Sequence, residues 1–237
     1  MRVLLFLVYS LCSSYLFAQS ILIGTTDSGP PFQIPAKDKP HFYGFEIDLM
    51  REICQRAQLD CSFKSFNFND LFDEVRNNHV DLAIGAIMIT PDREKEFLFS
   101  LPYLIGGGQY ATKVSSSIKA ISDIKGRSVG IEKGTIFKAW IESQFGNTVQ
   151  VKEYGTLADV LQALNENKVD AVLLDSGIVQ YWTANNSDLL RSVGDPMGSG
   201  YGIMANKNNE ALIETINKYL LELENDDTYL KLYRRYF

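Results

Sequence analysis

Fourteen residues of this chain return as a second copy of their own pattern, 89 positions further on. Phe68-Asn69-Asp70-Leu71-Phe72-Asp73-Glu74-Val75-Arg76-Asn77-Asn78-His79-Val80-Asp81 is echoed by Leu157-Ala158-Asp159-Val160-Leu161-Gln162-Ala163-Leu164-Asn165-Glu166-Asn167-Lys168-Val169-Asp170. Each copy carries apolar residues at helical spacing (Leu71, Phe72, Val75; Val160, Leu161, Leu164), then an Asn-rich stop, then a short apolar run, 82–87 or 171–174. That order reads as helix, turn, buried strand, twice over. A chain that repeats such a unit is constrained to two similar α/β halves.

Strand and helix signals alternate around the echo. Strands are expected at 21–24, 61–66, 82–87, 128–131, 149–153 and 203–205, and helices near 45–58, 69–77 and 137–145, with a long amphipathic helix carrying Leu212, Ile213, Ile216, Leu220 and Leu223. Such alternation implies parallel sheets covered by helices. Two glycine-rich patches, 105–110 and 194–202, interrupt it. They are expected to be paired crossings between a first lobe (20–109 with 202–237) and a second lobe (110–201), and paired crossings make a hinge. The fold class is α/β, with two Rossmann-like lobes joined by a two-strand hinge.

Open α/β sheets bind ligands beyond the carboxyl ends of their strands. There the two halves differ in sign, since the first leads to Arg93 and the second stops on Asp175. A free α-amino acid carries the matching pair of charges. Arg93 follows Thr90, a good N-cap, and Pro91, suited to the first helical position. A cation so early in a helix opposes the macrodipole, and a guanidinium clamps a carboxylate with two hydrogen bonds; the competing reading is a surface arginine paired with Glu94 or Glu96. Asp175, at the end of an apolar strand, is either an amine ligand or the cap of the next helix. Gly134-Thr135 forms a turn opening a helix, where free N–H groups favour an anion. Phe32, Phe68 and Tyr103 are candidates to wall an apolar slot.

Composition narrows the function. A net charge of −6, without a run of Lys/Arg among aromatics, argues against a nucleic-acid or anionic-membrane partner. The two histidines, His41 and His79, sit with neither a nucleophile nor a second metal ligand, and no nucleophile elbow or dinucleotide fingerprint occurs. No enzyme, metal or cofactor is expected. Met1-Arg2 followed by an apolar run to Phe17 and small residues has the pattern of a signal peptide over 1–19, cleaved near Ala18–Ser20. An exported chain with Cys54 and Cys61 favours a disulfide between them over two free thiols.

Taken in order, Pro31-Phe32, Gly44-Phe45-Glu46-Ile47-Asp48-Leu49, Val80-Asp81-Leu82-Ala83, Ile89-Thr90-Pro91-Asp92-Arg93, Phe99-Ser100-Leu101-Pro102-Tyr103, Gly126 to Ile131 with Gly134-Thr135, Val169-Asp170-Ala171, and Asp227-Thr228-Tyr229 with Tyr236-Phe237 resemble the bacterial extracellular solute-binding proteins of polar amino-acid ABC transporters. The cysteine pair resembles that of basic amino-acid-binding members. The resemblance implies a type II periplasmic binding fold: a monomeric periplasmic clamp that closes on one free L-amino acid and delivers it to a permease in the inner membrane. It implies that Arg93 takes the α-carboxylate with backbone N–H groups near Met88 and Thr135, that Asp175 and the Ala86 carbonyl take the ammonium, and that Phe68 packs on the side chain. Gly85 beside Ala86, with Thr26 and Asp27, completes the expected site, and Thr26, Asp27 and Glu132 are expected to meet a distal cation. Arginine, lysine or histidine is the favoured ligand. The alternatives are a glutamine-type binder, or an enzyme like the periplasmic cyclohexadienyl dehydratases with Glu132 as acid. The chain departs from the family pattern at Met88 (a hydroxyl or acidic residue is usual), at Ile136 and Phe137 (polar residues), and at Gly29 (an aromatic ring).

Overall fold

A computed structural model describes residues 19–36 and 41–237. Residues 1–18, on which the signal-peptide reading falls, lie outside the described residues. The first half comprises β1 (Ser20–Thr26), β2 (Ile34–Pro35), β3 (Phe42–Tyr43), α1 (Phe45–Ala57), β4 (Asp60–Phe66), α2 (Phe68–Arg76), β5 (Leu82–Ala83), α3 (Pro91–Glu96) and β6 (Phe97–Phe99). The second comprises β7 (Gly108–Lys113), β8 (Ser128–Glu132), α4 (Phe137–Phe145), β9 (Gln150–Tyr154), α5 (Leu157–Asn165), β10 (Ala171–Asp175), α6 (Ser176–Asn185) and β11 (Leu190–Met197). The chain ends in β12 (Met204–Asn206), α7 (Glu210–Asn225) and α8 (Thr228–Tyr236).

Two five-stranded sheets result, ordered β4-β1-β5-β12-β6 and β11-β7-β10-β8-β9. In the first, β1 runs parallel to β4 and β5, while the returning β12 is antiparallel to β5 and β6. In the second, β8 runs parallel to β9 and β10, and β7 is antiparallel to β10 and β11. α1 packs against α7 and α8, and Leu49, Met50 and Ile53 share one buried cluster with Ile213, Ile216, Leu220 and Leu223. Complete burial of each such side chain stabilises the fold by roughly 1.5–3 kcal/mol. Cys54, near the end of α1, is bonded to Cys61 in β4.

The sequence echo is a structural one. Asn78 and Asn167 both take the left-handed conformation, at φ 55° and 56°. The next residue closes each helix in the same way, His79 N–H to the Glu74 carbonyl at 2.9 Å and Lys168 N–H to the Ala163 carbonyl at 2.8 Å. Asp81 and Asp170 then accept, each at 2.8 Å, from backbone N–H groups of the neighbouring strands, those of Leu22 in β1 and Ser128 in β8.

The expected strand 82–87 is shorter than its apolar run. Pairing stops at Ala83, and Ala86 has φ 49°, a left-handed turn that no strand accommodates. The second glycine-rich patch is less irregular than expected, because β11 continues to Met197 through a register shift after Val193. The two crossings lie side by side: Tyr201 bridges to Met88 and Leu104, and Gly200 N–H donates to the Gly106 carbonyl at 3.1 Å. Glycine is required where they meet, since a Cβ at Gly107 would stand 1.7 Å from the Met197 carbonyl oxygen.

Candidate functional site

The site is built where the two sheets face each other across these crossings. Thr90 caps α3 by accepting from the Arg93 N–H at 3.3 Å, and Pro91 begins the helix. The Arg93 side chain turns inward over Phe72 and Phe68, its guanidinium carbon 4.7 and 5.8 Å from the ring centres. Its Nη1 donates to the Met88 carbonyl at 2.8 Å and its Nη2 to the Gly134 carbonyl of the second lobe at 3.2 Å. Glu96 pairs with Arg76 instead, which leaves Arg93 without a carboxylate partner among the described residues. Burial pulls the Arg93 guanidinium down to about 10, against the opposing charge of Asp175.

Asp175 occupies the N-cap position of α6 yet makes no side-chain capping bond. Its Oδ1 is shut off from solvent without a partner. Burial pushes its carboxyl up to about 7, opposed by the Tyr201 hydroxyl and by the charge of Arg93. The same Tyr201 hydroxyl lies 3.1 Å from the Gly107 carbonyl, to which it can donate. Arg93 and Asp175 come from different lobes and sense each other's charge, as the opposite-sign reading of the two halves requires.

Between these charges the loop after β5 leaves polar groups open. Among the described residues no hydrogen bond engages the Ala86 carbonyl or the Met88 N–H, although both residues are buried. Buried backbone groups almost always have a partner, so an acceptor and a donor two residues apart mark a place for one. Gly85 lies close against the Thr26 methyl, where an added Cβ would stand at 3.2 Å.

A cavity of about 190 Å³ lies between Thr26, Asp27 and Phe68 of the first lobe and Glu132, Thr156 and Leu157 of the second. Glu132 is half-buried, and burial pushes its carboxyl up to about 8, with the charge of Asp175 adding to the rise. Asp27 is exposed, while the Thr26 hydroxyl accepts from the Gln33 amide. The Thr135 hydroxyl donates to the Glu132 carbonyl at 2.7 Å, and its N–H reaches the same oxygen at 3.4 Å, a long bond that a stronger acceptor can replace.

The unusual positions have local causes. Met88 turns its side chain into the hinge core and leaves only its backbone at the site. Ile136, rather than Thr135, is the N-cap of α4, and Phe137 is buried in the second lobe beside Trp140. Any side chain at Gly29 would meet the Gln33 amide, 2.8 Å from its Cβ. Sequence reasoning missed Glu46, Tyr103 and Tyr201 as polar members of this region. The one signal available was a glutamate inside the apolar first turn of α1.

Among the described residues no group of three or more His, Cys, Asp or Glu is placed to hold a metal ion, and no helix is long and apolar enough to cross a membrane.

The family of bacterial extracellular solute-binding proteins, family 3, matches residues 21–237. ABC transporter arginine-binding protein 1 of Escherichia coli (strain K12) is 30% identical over 226 residues, covering 93% of this chain and 91% of the relative. The lysine/arginine/ornithine-binding periplasmic protein of the same organism is 30% identical over 230 residues, covering 92% and 88%. The crystal structure of an arginine 3rd transport system periplasmic binding protein from Legionella pneumophila superposes with a TM-score of 0.88 at 40% identity, covering 93% of this chain and all of that one. With two lobes, a double crossing and a family match over the whole described second half and most of the first, the chain belongs to the bacterial extracellular solute-binding proteins, family 3.

Proposed function

We propose that this protein is the periplasmic receptor of an ABC transporter, that it captures a basic L-amino acid, arginine foremost, and that it hands this ligand to a permease in the inner membrane after export and removal of a signal peptide near Ala18–Ser20. The reading takes lobe one as 20–109 with 202–237, lobe two as 110–201, and the working unit as a monomer. The observation that carries it is the placement of Arg93 and Asp175, from opposite lobes and near enough to feel each other's charge, beside an Ala86 carbonyl and a Met88 N–H that take no hydrogen bond among the described residues. Arg93, the Met88 N–H and the Thr135 N–H hold the α-carboxylate; Asp175 and the Ala86 carbonyl hold the ammonium. Phe68 and Gly85 shape the wall, and Glu132, Asp27 and Thr26 receive the distal cation. Glu132 supports the basic preference, because a half-buried carboxyl raised to about 8 is returned to its charged form by a guanidinium.

Relatives bearing arginine in their names support the same choice. An ancestral arginine-binding protein bound to glutamine, 29% identical with a TM-score of 0.86, keeps glutamine in the screen. A thermal-shift screen of free amino acids tests the reading, since a ligand that binds only the native state raises the apparent Tm. L-Arginine is expected to give the largest shift, and Arg93→Ala and Asp175→Ala each to abolish it while the protein stays folded. Retention of the shift in both variants would reject the site.

A further inference from the structure

Behind the ammonium end of the cleft stands a carboxyl that this reading leaves unused. Glu46, in the first turn of α1, has no solvent exposure. A buried carboxyl is costly unless its oxygens are satisfied. Its Oε1 accepts from the Ala86 N–H at 2.8 Å and from the Tyr103 hydroxyl, while Oε2 has no partner. Ala86 is the residue held at φ 49°, a left-handed conformation unfavourable for a side-chain-bearing residue. Its N–H is thus fixed from behind by Glu46, while its carbonyl takes no bond among the described residues.

Resting on the binding function above, we infer that Glu46 is a positioning residue for the ligand's ammonium: it anchors the Ala86 N–H so that the left-handed turn offers the Ala86 carbonyl to the cleft, and with Asp175, Tyr103 and Tyr201 it forms a buried acidic cluster that the ammonium completes. Continuity of the cluster is visible in its charges. Glu46 feels Asp175, and Tyr103 and Tyr201 each feel both carboxyls. The rings of Tyr103 and Tyr201 lie 6.4 Å apart.

Proton linkage follows from this arrangement. Burial pushes the carboxyls of Glu46 and Asp175 each up to about 7, so near neutral pH the empty cluster holds a proton that an arriving ammonium displaces. Binding therefore tightens as pH rises through 7. The groups facing Glu46 are Tyr103 and Tyr201 from the crossings and Asp175 from the end of β10; burial pushes both phenols upward, so they stay protonated. Arg93 and Glu132 act on this set through Asp175. Asp48 on the same helix is turned away, toward Arg235 and Tyr236.

Calorimetric titration of the wild type, Glu46→Gln and Glu46→Met with L-arginine and with Nα-acetyl-L-arginine, across about pH 5.5 to 8.5, tests the inference. L-Glutamine and its acetyl form serve if arginine gives no heat. Wild-type affinity is expected to rise with pH and to fall about 100-fold on acetylation. Glu46→Gln keeps an acceptor for the Ala86 N–H without the charge, so binding is expected about tenfold weaker at pH 8 with a shallower pH profile. Glu46→Met is expected to bind still more weakly, with a smaller acetylation penalty. If Glu46→Met does not fold, the Glu46→Gln pH profile decides. Wild-type affinity and profile in Glu46→Gln would overturn the role of Glu46 alone; a wild type that binds no free amino acid would overturn the binding function and this inference with it.

Discussion

In the proposed binding mode, ligand choice turns on Glu132. It lines the cavity shared by both lobes, beside Thr156 and opposite Thr26 and Asp27. Glu132→Gln is expected to weaken L-arginine about tenfold or more, the loss of roughly 1.4 kcal/mol that one charge-assisted contact supplies, while changing L-glutamine far less. Competition between the two ligands in calorimetry reads this as a changed ratio, and equal losses for both would place Glu132 outside the side-chain pocket. Asp175 supplies a second prediction, on stability. Its folded carboxyl titrates at about 7 and its ordinary value is 3.8. The folded state therefore binds the extra proton between those values, and the group's contribution to stability declines as pH rises through that window. Asp175→Asn removes the decline, so the Tm of the ligand-free variant minus that of wild type is expected to grow from about pH 5 to 8. A constant difference would show that Asp175 is solvated in the free protein.

The elements carry the strain and the staples. α1 and β4 are joined by the Cys54–Cys61 bond across a short loop, at the end of α1 opposite to Glu46 and the end of β4 opposite to Phe66. Cys54→Ser with Cys61→Ser is expected to lower stability to denaturant by about 2–3 kcal/mol in the chain-entropy picture and to leave ligand affinity unchanged. The crossings behave differently. A methyl group at Gly107 meets backbone of the return crossing, which has no flexible end to swing away. Gly107→Ala is expected to destabilise by about 2 kcal/mol or more, seen as a lower Tm with and without ligand. α2 and α5, by contrast, end through residues visible in the sequence, the left-handed Asn78 and Asn167.

The lobes of the whole molecule are in contact. Arg93 reaches the Gly134 carbonyl, a Cβ on Gly134 would stand 2.9 Å from Asn69 of α2, and one on Gly177 would stand 2.6 Å from the Phe32 ring. In the proposed clamp these are closed-state contacts, and affinity is then the difference between them and the preference of the empty protein for opening. Gly134→Ala places a methyl group in the closing surface. It is expected to weaken L-arginine about tenfold or more with a smaller loss of Tm in the free protein, and to reduce the ligand-induced fall in radius of gyration measured by small-angle scattering. Unchanged compaction on ligand addition would mean that closure does not pass through the Gly134–Asn69 contact.

Much of this was legible along the chain because it rests on local physics. Apolar spacing located α2, α4, α5 and α7, the echo carried both helix endings, and chain order placed a cation after one half and an anion after the other. The cysteine pair and the glycine-rich crossings were equally readable. What escaped depends on neighbours distant in sequence. β5 stops at Ala83 because Glu46, 40 positions away, accepts from the N–H of a left-handed Ala86. β11 runs on through a patch rich in glycine because β7 offers it a partner. The protonation of Asp175, Glu132 and Glu46 is likewise a property of burial, which removes water from carboxyls that read as ordinary acids in the chain. Periodicity and capping are written within a few residues of each other, whereas desolvation and hydrogen-bond partners exist only once the two lobes have brought remote segments together.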